Sequence, residues 1–208
     1  MNKFDQLLEI AAILNGPNGC LWDHKQTFTT LQQYLLEETH EVLEAVDSND
    51  DHKIIEELGD LLYTIIFYAK VAQKQGRFTI EEIIDGVKEK LIRRHPHVFG
   101  DQKIDTEEEL EQNWEKIKKE EKGKEIRVHA FDGIPPSMPL LAKAQKVLKI
   151  MMKTSFPLFK DQAASKMSEE EISEQLLHLV FLCELNGFNA ETITRRALAK
   201  KQDLFLSK

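Results

Sequence analysis

The chain has few of the features that mark secreted, membrane or disulfide-rich proteins. Among 208 residues there are two cysteines, Cys20 and Cys183, which excludes a disulfide framework and a cysteine-based zinc site. The longest uninterrupted apolar-looking stretch, Leu61 to Ala69, is far shorter than the about 20 residues that span a bilayer. Charged residues near the N-terminus break any signal-peptide core. We therefore expect a cytoplasmic protein with no membrane partner.

The chain also lacks an excess of positive charge. It carries 28 Lys and Arg against 36 Asp and Glu, a formal net charge of −8. A protein that binds duplex nucleic acid normally presents a basic face, so we expect no nucleic-acid partner. The 41% hydrophobic and 31% charged content is typical of a folded chain. The acidic surplus indicates either solvated helix faces or clustered carboxylates that hold cations.

Proline is absent from residues 18–95, and the hydrophobic pattern there is helical. Apolar residues recur at spacings of four and three in 31–45 and again in 54–72, which predicts two amphipathic helices. Turn-forming residues 48–51 separate them, so we expect an antiparallel hairpin. Thr79 and Glu82 form a capping-box pattern that predicts a third helix, and Pro96 ends it.

The rest of the chain also shows a helical pattern. In none of its segments do apolar and polar residues alternate convincingly, as they do in a strand. The additional predicted helices are 106–122, 138–153, 168–185 and 190–204. Pro157 and the stretch from Phe156 to Phe159 predict a loop. The predicted fold is an all-α bundle built on the antiparallel hairpin.

Acidic residues recur at one spacing on both helices of the hairpin. Glu38 and Glu41 lie three apart on the first helix, and Glu57 and Asp60 repeat that spacing on the second. Glu38 falls on the apolar stripe, where a lone carboxylate is costly unless its charge is compensated. Divalent cations are the usual compensation, and oxygen-only ligands favour Mg²⁺ or Mn²⁺ over zinc. From spacing alone, a solvated acidic face remains the alternative.

Two neighbouring features bear on this interpretation. Gly59 lies inside an otherwise strong helix, at a cost of about 1 kcal/mol relative to Ala, which predicts a close backbone approach there.

Glu37 and His40 form one Glu-x-x-His, the spacing of di-iron carboxylate bundles. That architecture needs a second such motif, and the chain has none. The di-iron alternative is therefore weak.

The ordered set of motifs resembles the MazG-type, all-α nucleoside triphosphate pyrophosphohydrolases. The resemblance begins with Glu37-Glu38-x-x-Glu41, fifteen intervening residues, and Glu57-x-x-Asp60. Residues 19–23 are similar to the family's entry motif Gly-Cys-Pro-Trp-Asp, with Leu21 in place of the proline. Further similar blocks are Glu57-Leu58-Gly59-Asp60-Leu61-Leu62, Arg93-Arg94-His95-Pro96-His97-Val98-Phe99 and Asn113-Trp114-Glu115-x-x-Lys118. Together they cover roughly residues 3–150.

The resemblance implies an activity and a set of metal ligands. The implied reaction is water attack between the α- and β-phosphates of a nucleoside triphosphate, which gives a nucleoside monophosphate and pyrophosphate. The implied Mg²⁺ ligands are Glu38, Glu41, Glu57 and Asp60, with Mn²⁺ as a substitute. Glu37 is implied as a nearby carboxylate that orients water or supports a ligand. These five acids are the catalytic set that the sequence predicts.

The resemblance also implies nucleotide contacts. Lys90 and Arg94 lie four apart on the third helix, and Trp114 and Lys118 repeat that spacing on the charged helix. Lys90 and Arg94 suit phosphate oxygens, and Trp22 suits stacking on a base. Without the resemblance, the basic pair is an ordinary solvated pair, and both tryptophans are peripheral core residues.

The C-terminal part resembles a degenerate second module of the same kind. Residues 78–83 align with residues 188–193 at an offset of 110. Glu171 and Glu174 could stand in for one pair of acids, but the partner helix with two paired acids is missing, since Leu140 to Phe159 contains none. We therefore expect this part to be inactive and to support folding, dimerisation or regulation, and a helical tail with chance similarity is the alternative. The predicted division is a catalytic module over 1–125, a linker over 126–137 and a C-terminal segment over 138–208.

Three classes of function follow from the sequence. The favoured one is a metal-dependent pyrophosphohydrolase, followed by a catalytically idle nucleotide-binding or regulatory module and by a structural bundle with an acidic face. The apolar residues Ile55, Leu62 and Ile66 of the hairpin need cover, which predicts a homodimer. The expected partners are therefore a nucleoside triphosphate and a second copy of the chain.

Overall fold

The structure, a computed structural model, describes residues 2–121, 129–153 and 166–207, and excludes the side chains of Glu115, Lys118 and Lys119. The chain divides into two compact units, Met1–Lys118 and Lys119–Lys208. The predicted module boundaries remain a prediction. Residues 126–128 of the predicted linker and the predicted loop at 156–159 lie outside the described residues.

The first unit is built from helices and one short 3-10 turn. Its helices are α1 (Lys3–Leu14), α2 (Leu31–Ser48), α3 (Asp51–Lys74), α4 (Ile80–Arg94), α5 (Pro96–Phe99) and α6 (Glu107–Glu120), with the 3-10 turn at Asp23–Lys25. The described residues contain no strand. The all-α prediction is confirmed. None of the described helices is long and apolar enough to cross a membrane.

A tight turn sets the antiparallel packing of α2 and α3, the most extensive helix contact of the first unit. Asn49 ends α2 in the left-handed conformation, with φ 52°, which asparagine tolerates better than most residues. Asp50 follows and caps α3, since its carboxylate accepts the backbone N–H of His52 at 3.0 Å. The hairpin predicted from sequence is confirmed.

The predicted start of the third helix is also confirmed. Thr79 and Glu82 form a reciprocal capping box at the N-terminus of α4: each side chain accepts the other's backbone N–H, at 3.4 and 2.8 Å. Arg94 is the last residue of α4. Pro96 then begins the four-residue helix α5, a position where its missing N–H costs nothing.

The helix α1 is missing from our sequence predictions, and it changes the interpretation of α3. Ala11 of α1 packs against Ile66, Ala69 and Ile80, so that Ile66 is completely buried within its own unit. The prediction that Ile66 needs cover from a second chain is therefore wrong. The signal for α1 was present in the sequence as a capping box between Asn2 and Asp5.

The expectation of a close approach at Gly59 is wrong within the described chain. A Cβ placed on Gly59 would meet nothing within 4 Å, and the same holds for Gly86 in α4. Gly59 therefore weakens α3 without a packing reason in the single chain.

We expect Gly59→Ala and the matched control Gly86→Ala each to raise the free energy of unfolding by about 1 kcal/mol, because alanine restricts the unfolded chain more than glycine does. Urea denaturation of both variants measures this. A Gly59→Ala variant that is less stable than Gly86→Ala would indicate that a second chain approaches α3 at Gly59.

The second unit contains three helices in its described residues: α7 (Leu140–Met152), α8 (Glu169–Leu185) and α9 (Ala190–Leu206). Its core packs α7 against α9 around the buried residues Phe131, Leu140, Val147, Met151 and Leu198. On α8, capped by Ser168, Cys183 is half-buried and every other residue is exposed.

The two units share local features around the offset of 110 noted in the sequence. The helices α4 and α9 begin at Ile80 and Ala190, and each follows a turn containing a glycine with positive φ, Gly76 or Gly187. At the same offset, the positions of Glu38 and Glu41 hold Leu148 and Met151 of α7, which belong to the apolar core. Apolar packing thus takes the place of the paired acids in the second unit.

Candidate metal and nucleotide site

Three of the predicted metal ligands converge on one face of the hairpin. Because α2 and α3 run antiparallel, the one-turn spacing of Glu38 and Glu41 brings both close to Glu57 of the partner helix. One carboxylate oxygen from each of the three lies within 4.8 Å of the others. Glu38 and Glu57 are half-buried, and Glu41 is exposed. We call these three residues the acid cluster.

The two other predicted acids lie beside this cluster. Asp60 is exposed on α3 and is not among the three residues whose oxygens converge, although its negative charge acts on both Glu38 and Glu57. Glu37 is exposed on α2, next to Glu38 in sequence, and its charge also acts on Glu38.

The clustered carboxylates make one another harder to ionise. Partial desolvation raises the pKa of Glu38 above its ordinary value of 4.5, and the charges of Asp60, Glu41, Glu57 and Glu37 raise it further. Partial desolvation and the neighbouring acids also raise the pKa of Glu57. A group of mutually repelling carboxylates is a high-energy arrangement unless a cation compensates it.

This electrostatic strain predicts a pH dependence of stability. Because the folded protein holds the Glu38 proton more tightly than the unfolded chain, the free energy of unfolding should fall as pH rises from about 4.5 through the raised pKa. We expect wild type in EDTA to lose stability relative to Glu38→Gln over that interval. Urea titrations of both proteins at a series of pH values measure it, and parallel curves would contradict the assigned repulsion.

The donor set fits a hard divalent cation. The acid cluster offers only carboxylate oxygens, which are the ligands that Mg²⁺ and Mn²⁺ prefer. The exposure of Glu41 leaves one side of the cluster open to solvent, where a cation can keep water molecules and accept oxygens from a polyphosphate. The arrangement suits a metal shared between protein and substrate.

An aromatic group lies one helical turn from the acid cluster. Trp22, which is 47% exposed, contacts the ring of Tyr34 edge-on at 5.3 Å and that of Phe67 at 6.0 Å. Tyr34 precedes Glu38 by four residues on α2, and thus lies on the same face. The sequence predicts Trp22 as a site residue, but it does not predict the contacts with Tyr34 and Phe67 that position the Trp22 ring.

The predicted nucleotide contacts of α4 and α6 form another group. The guanidinium carbon of Arg94 lies 5.2 Å from the centre of the Trp114 ring, and His95 meets that ring edge-on at 5.3 Å. Arg94 and Trp114 are half-buried, whereas Lys90 is exposed on α4. The side chain of Lys118 lies outside the described residues. His95 was missed as a contact, although it stands inside the Arg-Arg-His-Pro-His block.

With the geometry established, comparison with known proteins identifies the chain. Residues 26–99 match the family model described as the MazG nucleotide pyrophosphohydrolase domain. The chain belongs to the MazG family. The matched range contains the acid cluster, Asp60, Lys90 and Arg94, whereas Trp22 and the two α6 residues lie outside the MazG match.

Curated MazG relatives align with more of the chain. A protein of Escherichia coli K12 named nucleoside triphosphate pyrophosphohydrolase is 47% identical over 150 residues, which are 72% of this chain and 57% of that protein. A protein of Thermotoga maritima named nucleoside triphosphate pyrophosphohydrolase/pyrophosphatase MazG is 40% identical over 171 residues, 82% of this chain and 65% of that protein. The chain thus spans less than two thirds of either relative.

A solved structure also matches. The crystal structure of a mazG-related protein from Thermotoga maritima is 38% identical, with a TM-score of 0.49, and the match covers 55% of this chain and 98% of the other.

Proposed function

We propose that the protein hydrolyses nucleoside triphosphates to a nucleoside monophosphate and pyrophosphate, by water attack between the α- and β-phosphates. The observation that carries the proposal is the convergence of three carboxylates on the hairpin of a MazG domain. The names of the curated relatives support the same reaction.

In this proposal, Glu38, Glu41, Glu57 and Asp60 hold Mg²⁺, with Mn²⁺ as a substitute. When bound, the metal supplies charge neutralisation of the polyphosphate and lowers the pKa of water. The half-burial of Glu38 and Glu57 fixes their carboxylates on the hairpin face, and Glu41 contributes its carboxylate from the side that is open to solvent. Asp60 reaches the group by a change of side-chain torsion, since it already lies on the same face as Glu57.

The remaining residues orient the reactants in this proposal. Glu37 accepts a hydrogen bond from the attacking water, because a carboxylate outside the ligand set is a free acceptor beside the cluster. Lys90 and Arg94 bind phosphate oxygens, and the planar guanidinium suits two oxygens at once. Trp114 and Lys118 contact the nucleotide from α6, while the exposed face of Trp22 stacks on the base.

The products of the reaction test the proposal. The purified full chain is incubated with mixed ribo- and deoxynucleoside triphosphates and Mg²⁺, and released phosphate is assayed with and without added inorganic pyrophosphatase. We expect phosphate only when pyrophosphatase is present, and none in EDTA. Phosphate released without pyrophosphatase would indicate cleavage at the γ-phosphate and overturn the proposal. Binding without any turnover would favour the idle nucleotide-binding module.

We also propose a homodimer formed through the hairpin, in the cytoplasm. The two helices expose large apolar side chains at helical spacing, between 39% and 70% accessible: Leu36, Leu43, Val46, Ile55, Leu58, Leu62 and Ile65. Large apolar side chains exposed at helical spacing are typical of a protein interaction surface. A second copy of the same hairpin offers a matching face.

Charge placed on this face should separate the copies. We expect Ile55→Lys, at a side chain that is 70% exposed, to reduce the mass in solution from twice the 24.1 kDa of the chain to one chain, because a buried lysine ammonium is strongly destabilising. Size-exclusion chromatography with light scattering measures the mass. Ile13→Lys, at a 65% exposed position on α1, is the control that should leave the mass unchanged. A monomeric wild type would contradict the dimer.

A further inference from the structure

The turn that carries Trp22 is tied to the start of α2 by one side chain, that of Gln26. Its Nε2 donates a hydrogen bond to the carbonyl oxygen of Trp22 at 3.1 Å. Its Oε1 accepts a hydrogen bond from the hydroxyl group of Thr30 at 2.8 Å. The half-buried Gln26 therefore links the backbone of Trp22 to the residue that precedes α2.

The backbone of Gln26 also closes the 3-10 turn at Asp23–Lys25. Its N–H donates to the carbonyl oxygen of Asp23 at 3.2 Å, and the N–H of Lys25 donates to the carbonyl oxygen of Trp22 at 3.1 Å. These two short-range bonds shape the turn itself. The side-chain amide of Gln26 adds the link from the turn to α2.

The tie, the aromatic group and the acid cluster follow one face of α2. Thr30, Tyr34 and Glu38 are each four residues apart, so they lie on that face in a row, over about 12 Å of helix rise. Trp22 is held at two points of the row: its backbone at Thr30 through Gln26, and its ring edge-on against Tyr34 at 5.3 Å. Helix α2 thus sets the position of the indole ring relative to the acid cluster.

A tie of the backbone matters here because the Trp22 ring is not buried. The indole is 47% exposed, and it packs against the edges and faces of other rings rather than inside a core. A half-exposed ring on a free turn would adopt several orientations, and affinity for a base falls with the fraction of molecules in which the ring faces it. Fixing the backbone beforehand also lowers the cost of ordering on binding.

We infer that Gln26 is a positioning residue for Trp22: its amide, anchored on Thr30, holds the turn so that the indole ring faces the base of a nucleotide whose phosphates lie at the acid cluster. The inference rests on the proposed stacking of Trp22 on the base. Gln26 itself contacts no substrate and acts through Trp22.

A double-mutant cycle tests this role. Gln26→Glu keeps the length of the side chain and an oxygen near Thr30 but removes the donor to the Trp22 carbonyl oxygen. We expect KM for the nucleoside triphosphate to rise by about 3- to 10-fold with kcat nearly unchanged, as for the loss of one neutral hydrogen bond. In the Trp22→Ala background, the same substitution should leave KM unchanged. Gln32→Glu, an exposed residue of α2 with the same change of charge, is the control and should behave as wild type.

A second pair of variants adds no charge and does not depend on the folding of Gln26→Glu. Thr30→Val removes the hydroxyl group that holds Oε1 of Gln26 and should raise KM, whereas Thr30→Ser keeps that group and should retain the wild-type KM. Equal KM values for wild type, Gln26→Glu and Thr30→Val would overturn the inference. A rise of KM by the same factor with and without Trp22 would also overturn it, because Gln26 would then act by another route.

Fluorescence separates this inference from the proposed hydrolysis, because it needs no turnover. The chain has two tryptophans, so Trp114→Phe leaves Trp22 as the single reporter. In EDTA and without nucleotide, adding Gln26→Glu to that variant should increase the quenching of Trp22 by acrylamide, and adding Gln32→Glu should not. Unchanged quenching would overturn the inference even in an active enzyme. A wild type that releases no pyrophosphate would reject the proposed function, and the quenching would still decide whether Gln26 holds Trp22.

Discussion

Replacing Glu38 with glutamine should lower kcat/KM for pyrophosphate release by more than about 100-fold. Changing a residue that only supports a metal ligand lowers activity by up to about 100-fold, and we expect a larger loss when a ligand itself is changed. Glu38 belongs to the converging acid cluster, and its pKa is raised by partial desolvation and further by the charges of four other acids. Glutamine keeps the shape but removes the charge. In EDTA, the same substitution should raise the melting temperature, because it removes repulsion.

The opposite signs of these two effects make the result diagnostic. Glu44→Gln, at an exposed acid one turn further along α2, is the matched control and should change neither quantity. Mg²⁺ should raise the melting temperature of wild type and of Glu44→Gln, but not that of Glu38→Gln. Wild-type turnover in Glu38→Gln would remove this residue from the metal site.

Replacing Arg94 with lysine should lower kcat/KM by about 10- to 150-fold, which corresponds to losing one charge-assisted hydrogen bond worth roughly 1.5–3 kcal/mol. Lysine keeps the positive charge but loses both the planar fork and the stacking of the guanidinium on the Trp114 ring. Steady-state kinetics with a single nucleoside triphosphate measure the change. Lys88→Arg, on the same helix, is the control and should leave kcat/KM unchanged.

Trp114→Ala should have a different signature. If Trp114 packs beside the nucleotide, it contributes binding that is similar in the ground and transition states, so KM should rise more than kcat falls. Its contacts with Arg94 and His95 also allow a purely structural role. In that case the variant would lose thermal stability with unchanged KM, and Trp114 would have to be removed from the nucleotide site.

The sequence predicted the hairpin and its caps because those features depend on local interactions. Asn49, Asp50, Thr79 and Glu82 act on backbone groups within a few residues of themselves, so their effect can be derived from spacing. The convergence of Glu38, Glu41 and Glu57 follows for the same reason, since an antiparallel hairpin fixes which turns face each other.

The sequence failed where packing between distant segments decides the structure. The burial of Ile66 depends on α1, whose contact with α3 spans more than fifty residues of chain. The contact of the Trp22 ring with Tyr34 and Phe67 involves three separate segments of the chain, and no fixed spacing in the sequence predicts it. Gly59 misled us in another way, because a glycine can mark a contact that a single chain does not contain.

The second unit gives a further example of this limit. The helices α7, α8 and α9 follow one another along the chain as α2, α3 and α4 do. At the positions that correspond to Glu38 and Glu41, however, α7 carries the apolar side chains of Leu148 and Met151. The offset between residues 78 and 188 could be found from sequence. The consequence, a buried apolar core at the position of the acid cluster, required the structure.

The position of bond cleavage tests the central claim most directly. The purified chain is incubated with a nucleoside triphosphate and Mg²⁺ in water enriched in ¹⁸O, and the products are resolved by ³¹P nuclear magnetic resonance. The account predicts a nucleoside monophosphate and pyrophosphate, with one ¹⁸O atom incorporated into one of these two products, and no reaction for Glu38→Gln. A nucleoside diphosphate and inorganic phosphate, with ¹⁸O in the phosphate, would contradict it.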